Sequence, residues 1–112
     1  MGQYYMSQFE YILFFRKGKG IKINHCGTSD ILSVPNKKTK DKIGNNIHDC
    51  EKPIELMEIL ILNSSKKNDI ILDPFMGVGS TILAAIKNDR KAIGIEIDKN
   101  YYNIATERIY DG

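Results

Sequence analysis

Apolar and polar positions divide the chain into two regimes. Phe9-Glu-Tyr-Ile-Leu-Phe-Phe15 is a short apolar run rich in aromatics, the pattern of a strand covered on both faces. Arg16-Lys-Gly-Lys-Gly20 ends it, because glycine enters turns without steric cost, and Ile21-Lys-Ile23 predicts a short return strand. Residues 24–47 hold several Asn, Gly and Ser residues and Pro35, and predict a loop with one small buried patch at Ile31-Leu32. From Pro53 the pattern becomes regular. Ile54, Met57, Leu60 and Ile61 form one stripe at helical spacing, so 53–64 predicts a helix that opens on a proline. Asp69-Ile-Ile-Leu-Asp73 predicts a strand, Pro74 to Gly79 a turn, and Ser80 to Asn88 a helix. Lys91-Ala-Ile-Gly-Ile-Glu-Ile97 predicts a second strand, and Asp98 caps a last helix over 99–109.

Helix, strand, helix, strand, helix is the order of an α/β layer built on parallel strands with flanking helices. Three segments follow: 1–23, a strand or hairpin; 24–47, a loop; and 48–112, the α/β portion. With 112 residues, 42% hydrophobic and 27% charged, the chain has ordinary globular composition and the length of a single domain. No apolar run approaches the roughly 18 residues that a membrane span needs. Two cysteines exclude a disulfide scaffold and fit a reducing, cytoplasmic setting. The net charge of +2 is unremarkable, but its distribution is uneven. Residues 1–52 carry 9 Lys/Arg against 5 Asp/Glu, and residues 53–112 carry 7 against 9.

The stretch that carries chemistry is Asp73-Pro-Phe-Met-Gly-Val-Gly-Ser-Thr81, with Glu96 at the end of the following strand. A glycine-rich turn between strand and helix brings backbone close to a ligand, and an acid at the tip of the next strand suits ribose hydroxyls. A phosphate-binding Walker loop is excluded, since no glycine-lysine pair follows Gly79. The dinucleotide fingerprint wants a third glycine where this chain has Ile82. S-adenosylmethionine (SAM) fits better, because the Asp73 carboxylate suits an ammonium group and would repel a diphosphate. The bland alternative is a glycine turn that merely joins strand to helix.

These residues resemble the SAM-binding motif of bacterial and phage DNA methyltransferases that modify exocyclic amines, N6 of adenine or N4 of cytosine. His48-Asp-Cys-Glu-Lys-Pro53 looks like the segment that precedes this motif in the permuted subclass, where the SAM-binding region follows the catalytic region. Phe9–Lys17 resembles, less specifically, a strand near the end of the catalytic half, and 24–47 occupies the position of the target-recognition segment. The resemblance implies a partial Rossmann-like methyltransferase fold. It implies that Asp73, Phe75, Gly77, Gly79 and Ser80 surround the methionine part of SAM. Glu96 would accept from the ribose, Ile97 would flank the adenine, and Lys52 and Pro53 would close the opposite side. DNA phosphates would meet Lys19, Lys22, Lys37, Lys38 and Lys40.

The same family carries a Pro-Pro-aromatic motif that holds the target amine, and this sequence has no Pro-Pro; its prolines are Pro35, Pro53 and Pro74. No catalytic residue is therefore assigned, and the chain is expected to be inactive alone. Self-association or a catalytic-half partner is expected, since the strands 9–15 and 69–73 would lack neighbours. The rivals are a non-catalytic SAM- or DNA-binding subunit and, more distantly, a dinucleotide-dependent oxidoreductase. His25-Cys26 and His48-x-Cys50 have poor spacing for zinc, so no metal is expected. Tyr4-Tyr5 and Tyr101-Tyr102 are expected to pack half-buried rather than stack on bases.

Overall fold

The computed structural model describes residues 11–19, 22–34 and 52–111. Five elements follow one another: α1 (Ile54–Ser64), β1 (Ile70–Asp73), α2 (Ser80–Lys87), β2 (Lys91–Gly94) and α3 (Lys99–Asp111). The architecture is α/β, with parallel strands and flanking helices, as the pattern predicts.

Pro53 stands at the N-cap of α1 in extended conformation, so the helix begins one residue later than predicted, and the Pro53 carbonyl accepts the Met57 N–H. Of the apolar stripe, Ile61 is buried, and Ile54 and Met57 pack with it against Ala84 and Ala85 of α2 and against Ile71 and Ala92. Two alanines at that crossing leave room for close approach of the helices. The C-terminus of α1 is closed from two directions. The Asn24 side-chain amide donates to the carbonyls of Leu62 and Ser65, each at 2.8 Å. The buried Arg90 guanidinium donates to Ser65 Oγ at 2.9 Å and to the Ser65 carbonyl at 2.8 Å. These donors satisfy carbonyls that a helix end leaves without partners, and the cation complements the negative end of the helix dipole.

β1 and β2 pair in parallel, Ile70 opposite Lys91 and Asp73 opposite Gly94. Parallel neighbours require a crossover, and α2 supplies it. The second predicted strand is shorter than 91–97. Pairing continues one residue past Gly94, where Ile95 N–H donates to the Asp73 carbonyl, and the Ile95 carbonyl then accepts from Met76 of the turn. Asp98 caps α3 as predicted, its Oδ1 accepting the Tyr101 N–H at 3.0 Å, and the helix runs two residues beyond the expected end.

A second cluster joins the turn to the helices: Met76, Ile82 and Ala105 are buried, with Ala92 and Ile109 against them. A Cβ at Gly94 would clash with Met76 Sδ and lie 2.9 Å from Ile82 Cδ1. Ile82 stands where the dinucleotide fingerprint has its third glycine, whose purpose is close helix–sheet packing. Here the empty side-chain position is on the strand, at Gly94, and Ile82 occupies it from the helix.

The N-terminal expectations are corrected. Within the described part of 9–15, residues 11–15 form no strand and are exposed, Tyr11 to 94% and Phe15 to 82%. A β-ladder needs a neighbouring edge, and the described residues offer no pairing to this run, so its aromatic pattern alone does not make a strand. Lys22 and Ile23 likewise form no return strand, and Ile31 is exposed rather than buried. Residues 24–34 are irregular, as expected for a loop, and are tied to α1 by Asn24, by His25 N–H to Asn63 Oδ1 at 3.1 Å, and by Thr28 with Asn63. Of the tyrosine pairs, Tyr101 is half-buried and Tyr102 exposed, while Tyr4 and Tyr5 lie outside the described residues.

Candidate functional site

Most of the predicted cofactor-binding residues sit on two adjoining loops at the carboxyl ends of the parallel strands, the place where open α/β sheets receive ligands. Residues 74–79 leave β1, and residues 95–98 leave β2. Asp73 Oδ1 accepts the Phe75 N–H at 3.0 Å, a local turn that keeps the carboxylate at the strand tip. Phe75 is 87% exposed and Ile97 fully exposed, so each loop presents one apolar side chain to solvent.

Glu96 joins the two loops. Its Oε1 accepts the Gly77 N–H at 2.9 Å and its Oε2 accepts the Asp98 N–H at 2.8 Å. A carboxylate has about four lone-pair sites, so both oxygens keep acceptor capacity after these bonds. Two backbone donors fix the carboxylate's orientation before any ligand arrives.

The glycines have separate reasons. Gly77 has φ 55° and Gly79 φ 88°, both in the left-handed region. At Gly79 the side-chain position is also filled, since a Cβ there would lie 3.2 Å from Ala105 Cβ of α3. Gly79 therefore lets α3 approach the turn. The amides of both glycines are spent internally, Gly77 on Glu96 and Gly79 on the Met76 carbonyl at 2.9 Å. A nest of free N–H groups for phosphate is thus not formed by these two residues. Ser80, the first residue of α2, is buried, and its Oγ has no hydrogen-bond partner among the described groups.

Pro53 stands at the N-cap of α1. It lines an open groove of about 1020 Å³ between α1 and the N-terminal residues, with Tyr11, Ile12, Phe14, Leu56 and Leu60 among its walls. That groove includes none of the residues of the glycine turn. Lys52 is exposed at the start of the same helix. Among the candidate DNA contacts, Lys19 and Lys22 are exposed, while Lys37, Lys38 and Lys40 fall outside the described residues, as do His48 and Cys50.

Sequence reasoning passed over Gly94 and Arg108 beside the site, and Arg90 at the end of α1. Gly94 could have been found, because a glycine inside a strand marks close approach. Arg90 and Arg108 carry no local signal, since what each holds lies 25 and 30 residues away.

The comparisons decide the family. The DNA methylase family profile matches residues 1–107. The chain belongs to the DNA methylase family. It is 40% identical over 107 residues to the orphan methyltransferase M.BamHII of Bacillus amyloliquefaciens, covering 85% of this chain and 40% of that protein. It is also 40% identical over 78 residues to the type II methyltransferase M.HinfI of Haemophilus influenzae, covering 70% of this chain and 22% of the relative. Among solved structures, the M1.HpyAVI–SAM complex superposes with a TM-score of 0.61 at 39% identity, over 78% of this chain and 42% of that one. The methylase chain thus spans less than half the length of each of these relatives.

Proposed function

We propose that the chain is the SAM-binding portion of a DNA methyltransferase acting on the exocyclic amine of adenine (N6) or cytosine (N4). The observation that carries this reading is Glu96, held at the tip of β2 by the Gly77 and Asp98 amides beside the Asp73 turn. The donor set fits SAM on the structure itself. Glu96 retains lone pairs for ribose hydroxyls, and Asp73 offers a carboxylate for an ammonium. The exposed Phe75 and Ile97 offer apolar faces to the rest of the cofactor, and the Ser80 hydroxyl stands unpartnered at the start of α2. The spent amides of Gly77 and Gly79, with two carboxylates nearby, speak against a diphosphate. That ranks the dinucleotide oxidoreductase last.

When bound, SAM supplies a sulfonium whose methyl goes to the amine nitrogen, with the sulfur keeping the bond pair and the amine losing a proton. The residues of this chain hold and orient; they do not move that proton. Proximity supplies much of the rate in such a transfer. With no Pro-Pro motif to hold the amine, these 112 residues alone bind cofactor and do not turn over. A second reading, a non-catalytic subunit complementing a separate catalytic chain, draws on the same absence. A methyl-transfer assay with and without an added catalytic half separates the two from an autonomous enzyme. DNA contact is proposed to be phosphate-driven through Lys19, Lys22, Lys37, Lys38 and Lys40, and so to weaken steeply with salt. Among the described residues no helix is long and apolar enough to cross a membrane.

Titration calorimetry tests the cofactor assignment. SAM or its demethylated product gives saturable heat, NAD gives none, and Gly77→Val abolishes the SAM signal. Heat with NAD and none with SAM overturns the proposal.

A further inference from the structure

The turn 75–79 has two glycines at positive φ, and such residues have little intrinsic barrier to neighbouring conformations. What holds it must come from outside. Glu96 grips one side, at the Gly77 N–H. The other side is gripped by Arg108, more than two turns into α3, whose Nη1 donates to the Val78 carbonyl at 2.7 Å. The same peptide unit is held at its other end, where Gly79 N–H donates to the Met76 carbonyl. The peptide between Val78 and Gly79 therefore cannot flip without breaking a bond at each end. Among the described residues, the Gly77–Val78 peptide is left without a hydrogen bond at either end. It lies between two clamped neighbours, next to the Glu96 carboxylate.

We infer that Arg108 is a positioning residue for the cofactor: it fixes the Val78–Gly79 peptide so that the Gly77–Val78 peptide is presented to the ligand in one orientation. A guanidinium is suited to this, being permanently charged and giving a short charge-assisted bond to a neutral carbonyl. Its attachment to α3, whose Ala105 packs against Gly79, ties the turn to a rigid element. The inference rests on the SAM reading of the site for its ligand, and on the turn geometry alone for its mechanics.

The test uses the full chain with Arg108→Met and Arg108→Lys. Amide hydrogen exchange is followed at Gly77 and Gly79 and, as reference, in α1 and β1; SAM affinity is measured by calorimetry. Arg108→Met is expected to speed exchange at Gly79, and more weakly at Gly77, by roughly tenfold. Amides of α1 and β1 should keep their rates, and SAM affinity should fall by a similar factor. Arg108→Lys, with one compact charged donor, should recover part of both. Unchanged exchange at Gly77 and Gly79 overturns the inference, as does acceleration spread evenly over α1 and β1, which would mark a general structural role. If Arg108→Met does not fold, Arg108→Lys decides: intermediate exchange and affinity support the inference, and wild-type values refute it. Wild-type protein that binds no SAM refutes the cofactor reading, while the exchange comparison still decides the role of Arg108 in the turn.

Discussion

At the scale of single residues, Gly79 and Gly94 are the more informative glycines. Gly79 combines φ 88° with a side-chain position 3.2 Å from Ala105 Cβ. Gly79→Ala should therefore cost about 1–2 kcal/mol through backbone strain alone, with further crowding of α3. Gly94 has no positive φ, so its cost is packing alone: an added methyl meets Met76 Sδ and Ile82 Cδ1. Overpacking of that kind costs about 1–3 kcal/mol. Because the clash is with side-chain tips, Gly94→Ala combined with Ile82→Val should recover part of the loss, while Gly79→Ala combined with Ile82→Val should not. Urea denaturation of the four variants measures both. The motif Asp73 to Thr81 made both turn glycines visible in the sequence. It did not show that Gly79 serves α3 and that Gly94 does the packing work a third motif glycine does elsewhere, because both depend on residues that the fold brings together.

At the scale of elements, the regular half of the chain was legible because its periodicities are local. The stripe in α1, the cap at Asp98 and the apolar run of β1 each determine their element with few distant contacts. The described part of the 9–15 run, residues 11–15, departs from its pattern for the opposite reason. A strand is defined by a partner, and the same aromatic residues are equally consistent with an exposed segment when no edge is offered. The end of α1 shows how distant residues finish an element. Asn24 and Arg90 converge on Leu62 and Ser65 from opposite sides in sequence, and the Arg90 guanidinium also reaches the Asn88 carbonyl at 2.8 Å. Arg90→Met should cost about 2–3 kcal/mol, since two carbonyls and a hydroxyl lose a charged donor in a largely buried setting. Asn24→Ala should cost about 1 kcal/mol, because its exposed carbonyl partner can turn to water. Thermal melts followed by circular dichroism distinguish them. Equal losses would show that burial of the Arg90 site is not what sets its weight.

At the scale of the whole molecule, the sheet has two unlike faces. Alternation along the strands sends Ile71, Ala92 and Gly94 toward the helices, and Ile70, Leu72, Ile93 and Ile95 to solvent, each of these four more than half exposed. Fully exposed Ile97 extends the row. Parallel sheets are found almost only with both faces covered. Bare aliphatic rows on adjacent strands approach the few hundred Å² at which an apolar patch marks an interaction surface. Among the described residues, 11–15 supply no strand, β1 keeps one edge unpaired, and the face of the sheet away from the helices stands uncovered, a further cause of association. Self-association is expected, with the light-scattering mass rising over a concentration series. Leu72→Lys should suppress that rise and leave the melting temperature within a few degrees, because its side chain already faces water. Ile71→Lys, one residue away, should instead unfold the chain, since it drives a charge into the cluster around Ile61 and Ala85. A mass that is constant with concentration for the wild type would mean that the remaining residues cover this face themselves, and Leu72→Lys would then lower the melting temperature as Ile71→Lys does.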